Sequence, residues 1–121
     1  MGLFSFLGGG GGSTRRKAAD AHALVESGAL LLDVREHHEW KAGHAPGALH
    51  IPLGQLPAKL SKLPRDRQIV TACRVGGRSA RAAALLRREG FDVVDLGGGM
   101  LAWQREGLPL VADGGGRGRV A

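Results

Sequence analysis

Tyrosine is absent from this chain of 121 residues, aromatics make up only 4% of it, and cysteine occurs once. One cysteine cannot close an internal disulfide, so Cys73 is a structural thiol, a reactive thiol or half of an intermolecular bridge. A reduced, cytoplasmic setting is the simplest fit. Also missing is any run near the roughly 18 apolar residues of a membrane-spanning helix. The longest candidates are Leu3–Leu7 and Ala29–Leu32, so the chain is read as soluble, with no membrane partner. Two packed domains are excluded by length, leaving one small domain.

The charge of one sign is unevenly spread. Of the net +6, residues 1–17 hold +3 and residues 112–121 hold +1. The body between them is only mildly basic and poor in rings for base stacking, which argues against a nucleic-acid partner. Within that body, residues 73–88 contain Arg74, Arg78, Arg81, Arg87 and Arg88 and no acid at all. This cluster begins at the lone cysteine.

Ten of the 21 glycines lie in the two tails, where Gly8–Gly12 and Gly114–Gly116 add chain entropy with little apolar burial in return. Residues 1–14 are therefore expected to be a disordered leader and residues 113–121 a disordered Gly/Arg tail, flanking a domain at 15–112. The apolar start, Met1–Leu7, is too short for a secretory signal and has no preceding positive charge. Phe6 stands where an N-myristoylation motif wants Ser or Thr. No internal repeat is visible.

Between the tails, short β-like runs alternate with helix-like runs, the pattern of an α/β domain with a mainly parallel sheet. The spacing predicts helices at Ala18–Ser27, Glu36–Lys41, Gln55–Leu63, Ser79–Glu89 and Met100–Glu106, with Gly28, Gly43, Gly90 and Gly107 as stops. Strands are predicted at Leu30–Val34, His50–Leu53, Gln68–Ala72 and Asp92–Leu96.

Cys73 stands at the exit of the apolar run Gln68–Ala72, and Arg74, Val75, Gly76, Gly77 and Arg78 follow before a helix starts near Ser79. A loop entering a helix N-terminus presents unpaired N–H groups, and paired glycines permit the positive φ angles of an anion nest. No proline interrupts Arg74–Ser79, so all six residues keep a main-chain donor that can converge on the sulfur. The helix N-terminus, with Arg74 or Arg78, favours the thiolate over the thiol, and the thiolate is the nucleophile. The alternative for a lone cysteine is simple core packing.

Cys73-Arg74-Val75-Gly76-Gly77-Arg78-Ser79 resembles the active-site loop of the rhodanese-like sulfurtransferase family. Leu32-Asp33-Val34-Arg35 with Glu39-Trp40, then Gly43-His44-Ala45-Pro46-Gly47-Ala48 and His50-Ile51-Pro52-Leu53, are similar to its first signature. Gly97-Gly98-Gly99-Met100-Leu101-Ala102-Trp103 is similar to its closing signature. The likeness covers about Ala18–Leu110, in the family's order. It implies a three-layer α/β fold whose mostly parallel sheet has four to five strands. The family's short first strand would fall near Arg16–Ala18, where charge and alanine replace β-branched residues.

The resemblance further implies that Cys73 accepts a sulfane sulfur from a small anionic, thiosulfate-like donor, becomes a persulfide, and passes the sulfur to cyanide or a thiol, a partner protein's thiol included. No cofactor is needed, and a monomer is expected. Arg74 is the first candidate for gripping the donor and Arg78 the second, unless Arg78 instead braces the loop. Asp33 and Arg35 take a supporting role through an ion pair or loop hydrogen bonds, and Trp40 and Trp103 are read as packing.

Two rival functions use the same thiolate. A cysteine phosphatase places five residues between cysteine and arginine, whereas Arg74–Gly77 make only four and Ser79 fills the place its arginine would need. A persulfide carrier would hold sulfur without rapid turnover. With no second cysteine, sulfur on Cys73 must leave to an external acceptor. His37, His38, His44 and His50 fall within 14 residues but lack metal-site spacing, so no metal is expected.

Overall fold

Three four-residue runs, β2 (Leu30–Asp33), β4 (Ile69–Ala72) and β5 (Val93–Leu96), are buried at every position. That is the pattern of strands covered on both faces. In the computed structural model, which describes residues 14–121, they pair in parallel with the two-residue strands β1 (Arg15–Arg16) and β3 (Leu49–His50). The sheet order is β1-β5-β4-β2-β3, so β4, which leads into Cys73, is central.

Alternation along the strands assigns the layers. Leu30, Leu32, Ile69 and Val93 pack with Ala82, Ala83 and Leu86 of helix α3 (Gly77–Arg88). Leu31, Val70, Val94 and Leu96 meet Ala18 and Ala21 of α1 (Ala18–Glu26), and Met100 and Trp103 of α4 (Gly99–Arg105). This is the expected three-layer α/β arrangement with a five-stranded parallel sheet. The remaining helix, α2 (His37–Ala42), follows β2. Among the described residues, no helix is long and apolar enough to cross a membrane.

Three local expectations give way to physical detail. Where charge seemed to disfavour a first strand, Arg15 and Arg16 form one at the sheet edge, a place that tolerates short, charged strands. The segment expected as a helix at Gln55–Leu63 is a 3₁₀ helix over Leu53–Lys62, broken at Lys59 and containing Pro57. Proline removes a donor and crowds the carbonyl four residues back, so the wider α-helical ladder cannot run through it. Leu56 is still buried in the core.

The third difference is the tail at 113–121, expected to be disordered and found docked. Val111 bridges His44 on one side and Arg117 on the other. The Arg119 N–H donates to the Ala42 carbonyl at 3.0 Å, and the Val120 N–H to Gln104 Oε1 at 2.8 Å. Glycines that suggested loose chain instead allow close approach: a Cβ on Gly118 would lie 2.7 Å from the Val111 main chain. Of the leader expected at 1–14, residues 1–13 lie outside the described residues, and the Thr14 carbonyl accepts from the Asp95 N–H at 2.7 Å.

Gly43 makes the reciprocal contact, its backbone extended and a Cβ there falling within 3.0 Å of the Arg119 main chain. Gly43→Ala is therefore expected to unseat the tail at a cost of about 1–3 kcal/mol. Limited proteolysis should cut 113–121 in the variant and spare it in the parent.

Candidate active site

Cys73 leaves the carboxyl end of β4, beside Val34 and Arg35 after β2 and Gly97 after β5. In parallel α/β sheets this edge is where ligands bind. Gly76 has φ +133°, a conformation L side chains resist, and its N–H donates to Cys73 Sγ at 3.1 Å. Of the six main-chain donors expected to converge, Gly76 is the one whose hydrogen bond to the sulfur is formed. The first bond entering α3 runs from the Ala80 N–H to the Gly76 carbonyl. The N–H groups of Gly77, Arg78 and Ser79 therefore make up the open first turn.

The Ser79 hydroxyl completes the seat, accepting from Cys73 Sγ at 3.4 Å and donating to the Gly76 carbonyl at 3.3 Å. Cys73 is 1% exposed and joins the core cluster through its packing. Packing alone does not require an amide and a hydroxyl at the sulfur.

The closing signature has a steric explanation. Met100 and Leu101 donate their N–H groups to the carbonyls of Cys73 and Arg74, at 2.8 and 3.1 Å. This brings the first turn of α4 directly onto the cysteine loop. Gly98 and Gly99, at φ +77° and +62°, permit that approach.

Asp33 and Arg35 form a fully buried ion pair, with Arg35 Nη2 2.7 Å from Asp33 Oδ2 and Nε 2.9 Å from Oδ1. Nη2 also donates to the Gly43 carbonyl at 2.7 Å, anchoring the end of α2. Arg78 contacts a carboxylate: its Nη1 and Nη2 donate to Glu39 Oε1 and Oε2 at 2.7 and 2.9 Å. It braces the loop against α2. Arg74 is exposed and donates through Nε to the Ala121 main-chain oxygen at 2.9 Å. Val75, 57% exposed, stands next to it.

Glu39, unassigned in the sequence reading beyond its signature position, is the residue on which that brace depends. The hydrogen bond from Arg78 is the largest cause holding its pKa down to about 2, from an ordinary 4.5; burial opposes it, and the Glu36 main chain helps. A depressed acid stabilises the fold above its unfolded value and loses that contribution as pH falls through its folded value. The pair should thus stabilise fully above about pH 4.5 and fade toward pH 2. After discounting for solvent at Arg78, about 2 kcal/mol is expected. Glu39→Gln should flatten the acid limb of a denaturation midpoint plotted against pH.

His37, His44 and His50 take part in stacking. Trp40 stacks on His44 at 3.6 Å and on His50 at 4.8 Å, while His44 Nδ1 lies 2.8 Å from the Trp40 carbonyl and His50 Nε2 2.7 Å from that of Arg35. Among the described residues, no group of three or more His, Cys, Asp or Glu side chains is arranged to hold a metal. Trp103 is buried, its Nε1 donating to the Pro109 carbonyl at 2.8 Å.

Comparison with known proteins agrees with this geometry. A family profile described as rhodanese-like domain matches residues 17–106. A sulfurtransferase of Allochromatium vinosum is 44% identical over 84 residues, covering 69% of this chain and 78% of that protein. Thiosulfate sulfurtransferase 16, chloroplastic, of Arabidopsis thaliana is 36% identical over 105 residues, covering 76% and 88%. The crystal structure of a rhodanese-related protein from Thermoplasma volcanium superposes with a TM-score of 0.78 at 34% identity, over 82% of this chain and 98% of that one. With sheet order, cysteine loop and relatives in accord, the chain belongs to the rhodanese-like family of sulfurtransferases.

Proposed function

We propose that the chain moves a sulfane sulfur from thiosulfate, through a persulfide on Cys73, to cyanide or a thiol. The observation carrying this reading is the seat of the lone thiol: a Gly76 amide 3.1 Å from Sγ at the mouth of α3. In the first half-reaction the Cys73 thiolate attacks the outer sulfur of thiosulfate. The donor's S–S bond breaks, and sulfite leaves with the bonding pair. In the second, the acceptor attacks the terminal sulfur and thiocyanate or a new persulfide departs, restoring the thiolate. Anionic sulfur occurs at every stage, and a pre-oriented amide facing it reduces the reorganisation needed; in oxyanion holes one such donor is worth roughly 2.7–4 kcal/mol.

Choosing thiosulfate rests on the anion-seeking loop and on the name of the Arabidopsis relative, a thiosulfate sulfurtransferase. Arg74, exposed at the loop, remains the residue proposed to attract the donor, whereas the Glu39 contact of Arg78 favours bracing. Cys73 being the only cysteine, the acceptor is external, and a protein thiol in the cytoplasm would serve.

Mixing the purified chain with thiosulfate and cyanide tests the reading. Thiocyanate production that vanishes in Cys73→Ser supports it, and Arg74→Ala should raise KM for thiosulfate about fivefold, the worth of one partly screened charge. Higher salt should raise KM in the parent and less so in that variant. A stable gain of one sulfur in mass without product would make the chain a carrier instead. Cys73-dependent hydrolysis of an aryl phosphate would make it a phosphatase.

A further inference from the structure

An exposed arginine with several free torsions is a poor grip until something holds it. Arg74 is exposed, yet its main chain and its side chain are both tied. Its carbonyl accepts from the Leu101 N–H at 3.1 Å, and its Nε donates to the Ala121 main-chain oxygen at 2.9 Å. One residue before Ala121, the Val120 N–H donates to Gln104 Oε1 at 2.8 Å. Gln104 stands three positions after Leu101 in α4, a spacing that puts both on one side of the helix. These contacts close a circuit. It runs from the cysteine loop to α4, from α4 to residues 120–121, and from those residues back to the arginine beside the nucleophile. The Arg119 N–H on the Ala42 carbonyl, at 3.0 Å, and Val120, packed against the cluster of Met100 and Trp103, keep residues 119–121 in place.

We propose that Gln104 and residues 119–121 are positioning elements for Arg74, and that through it they set the affinity for an anionic sulfur donor. Ala121 takes only Nε. The two Nη atoms have no hydrogen-bond partner among the described residues, so the outer edge of the guanidinium is left to receive an oxyanion. Parallel N–H donors in one plane suit the paired oxygens of a sulfonate-like group such as thiosulfate carries. Because one nitrogen is already held, part of the ordering of the side chain is complete before the donor arrives. A lysine could not do both jobs, having a single nitrogen to share between Ala121 and the donor. Arg74 and Gln104 are both exposed, so loss of this linkage should leave the fold intact.

This rests on the proposed sulfur chemistry for its purpose, but it is measurable without turnover. In the full chain, Gln104→Leu removes the acceptor of the Val120 bond and Val120→Pro removes its donor. Both should raise KM for thiosulfate about threefold with kcat nearly unchanged, the effect of freeing one side chain at a binding site. In an Arg74→Ala background neither change should move KM further. Arg74→Lys keeps the charge, so its KM should keep its salt dependence while responding to neither change. NMR of the arginine Nε–H groups gives an independent reading: the Arg74 signal should be protected from solvent exchange in the parent and lose that protection in Gln104→Leu. In a Cys73→Ser background, thiosulfate titrated against that signal reads affinity alone and should bind about threefold more weakly once Gln104→Leu is added. An unchanged or lowered KM in Gln104→Leu, or a rise that persists in Arg74→Ala, would overturn the proposal. Should Val120→Pro not fold, Gln104→Leu on the surface of α4 decides alone. Weakened binding in the titration, with a parent chain that makes no thiocyanate, would leave the positioning role standing and defeat the sulfurtransferase reading.

Discussion

Replacing Asp33 by alanine should cost this protein about 3–5 kcal/mol, the penalty of stranding a charge inside a fold. Arg35 is entirely buried and gives Nε and Nη2 to Asp33, while its Nη1 has no hydrogen-bond partner among the described residues. Without Asp33, the Gly43 carbonyl would be its only remaining side-chain acceptor among them. Against a total stability of about 5–15 kcal/mol, that loss is large enough to unfold a substantial fraction of molecules on mild heating. Urea midpoints are the measurement. A paired change, Asp33→Leu with Arg35→Met, removes both charges and should recover much of the loss. If both variants are equally unstable, packing and not the stranded charge is the cause.

Activity should fall with the same change for a reason that can be traced residue by residue. Arg35 anchors the end of α2 through Gly43, α2 carries Glu39, and Glu39 holds Arg78 in the first turn of α3. A displaced α2 thus loosens the turn that carries the Ser79 hydroxyl beside the sulfur. The same reasoning explains what the sequence made legible. The supporting role expected for Asp33 and Arg35 came from the family resemblance, since a strand's carboxyl end by itself points to a ligand site. The cysteine loop was readable because a glycine pair between a strand and a helix has few other uses. Glu39 was harder, since its partner lies thirty-nine positions away and no local spacing connects them.

The tail was misjudged from its composition. Glycine content measures the entropy of a free chain, while Gly118 and Gly43 are there to let two backbones touch. Nothing in residues 113–121 alone indicates the surface of Ala42, Gly43 and Gln104 that receives them.

Three glycine substitutions around the cysteine should separate space from conformation. Gly99→Ala should be the most damaging, because φ is +62° and the new Cβ would stand 2.6 Å from the Cys73 carbonyl, with the Arg74 carbonyl closer still. Main-chain atoms cannot rotate away as a side chain can, so α4 or the loop must shift. Overpacking and the left-handed backbone together should cost about 2–4 kcal/mol. A displacement near 1 Å at the sulfur should lower sulfur transfer about 100-fold. Gly76→Ala has open space for its Cβ but a φ of +133°, so only strain applies, and the amide that donates to Sγ bears it. Activity should therefore drop more than stability. Gly77→Ala has open space and no positive φ, and at the first position of α3 it should stabilise by about 0.4–1 kcal/mol with turnover kept. Thiocyanate rates and thermal midpoints of the three variants would test this order. A Gly77→Ala protein as impaired as Gly99→Ala would mean that this loop tolerates no side chain for a reason other than its contacts and angles.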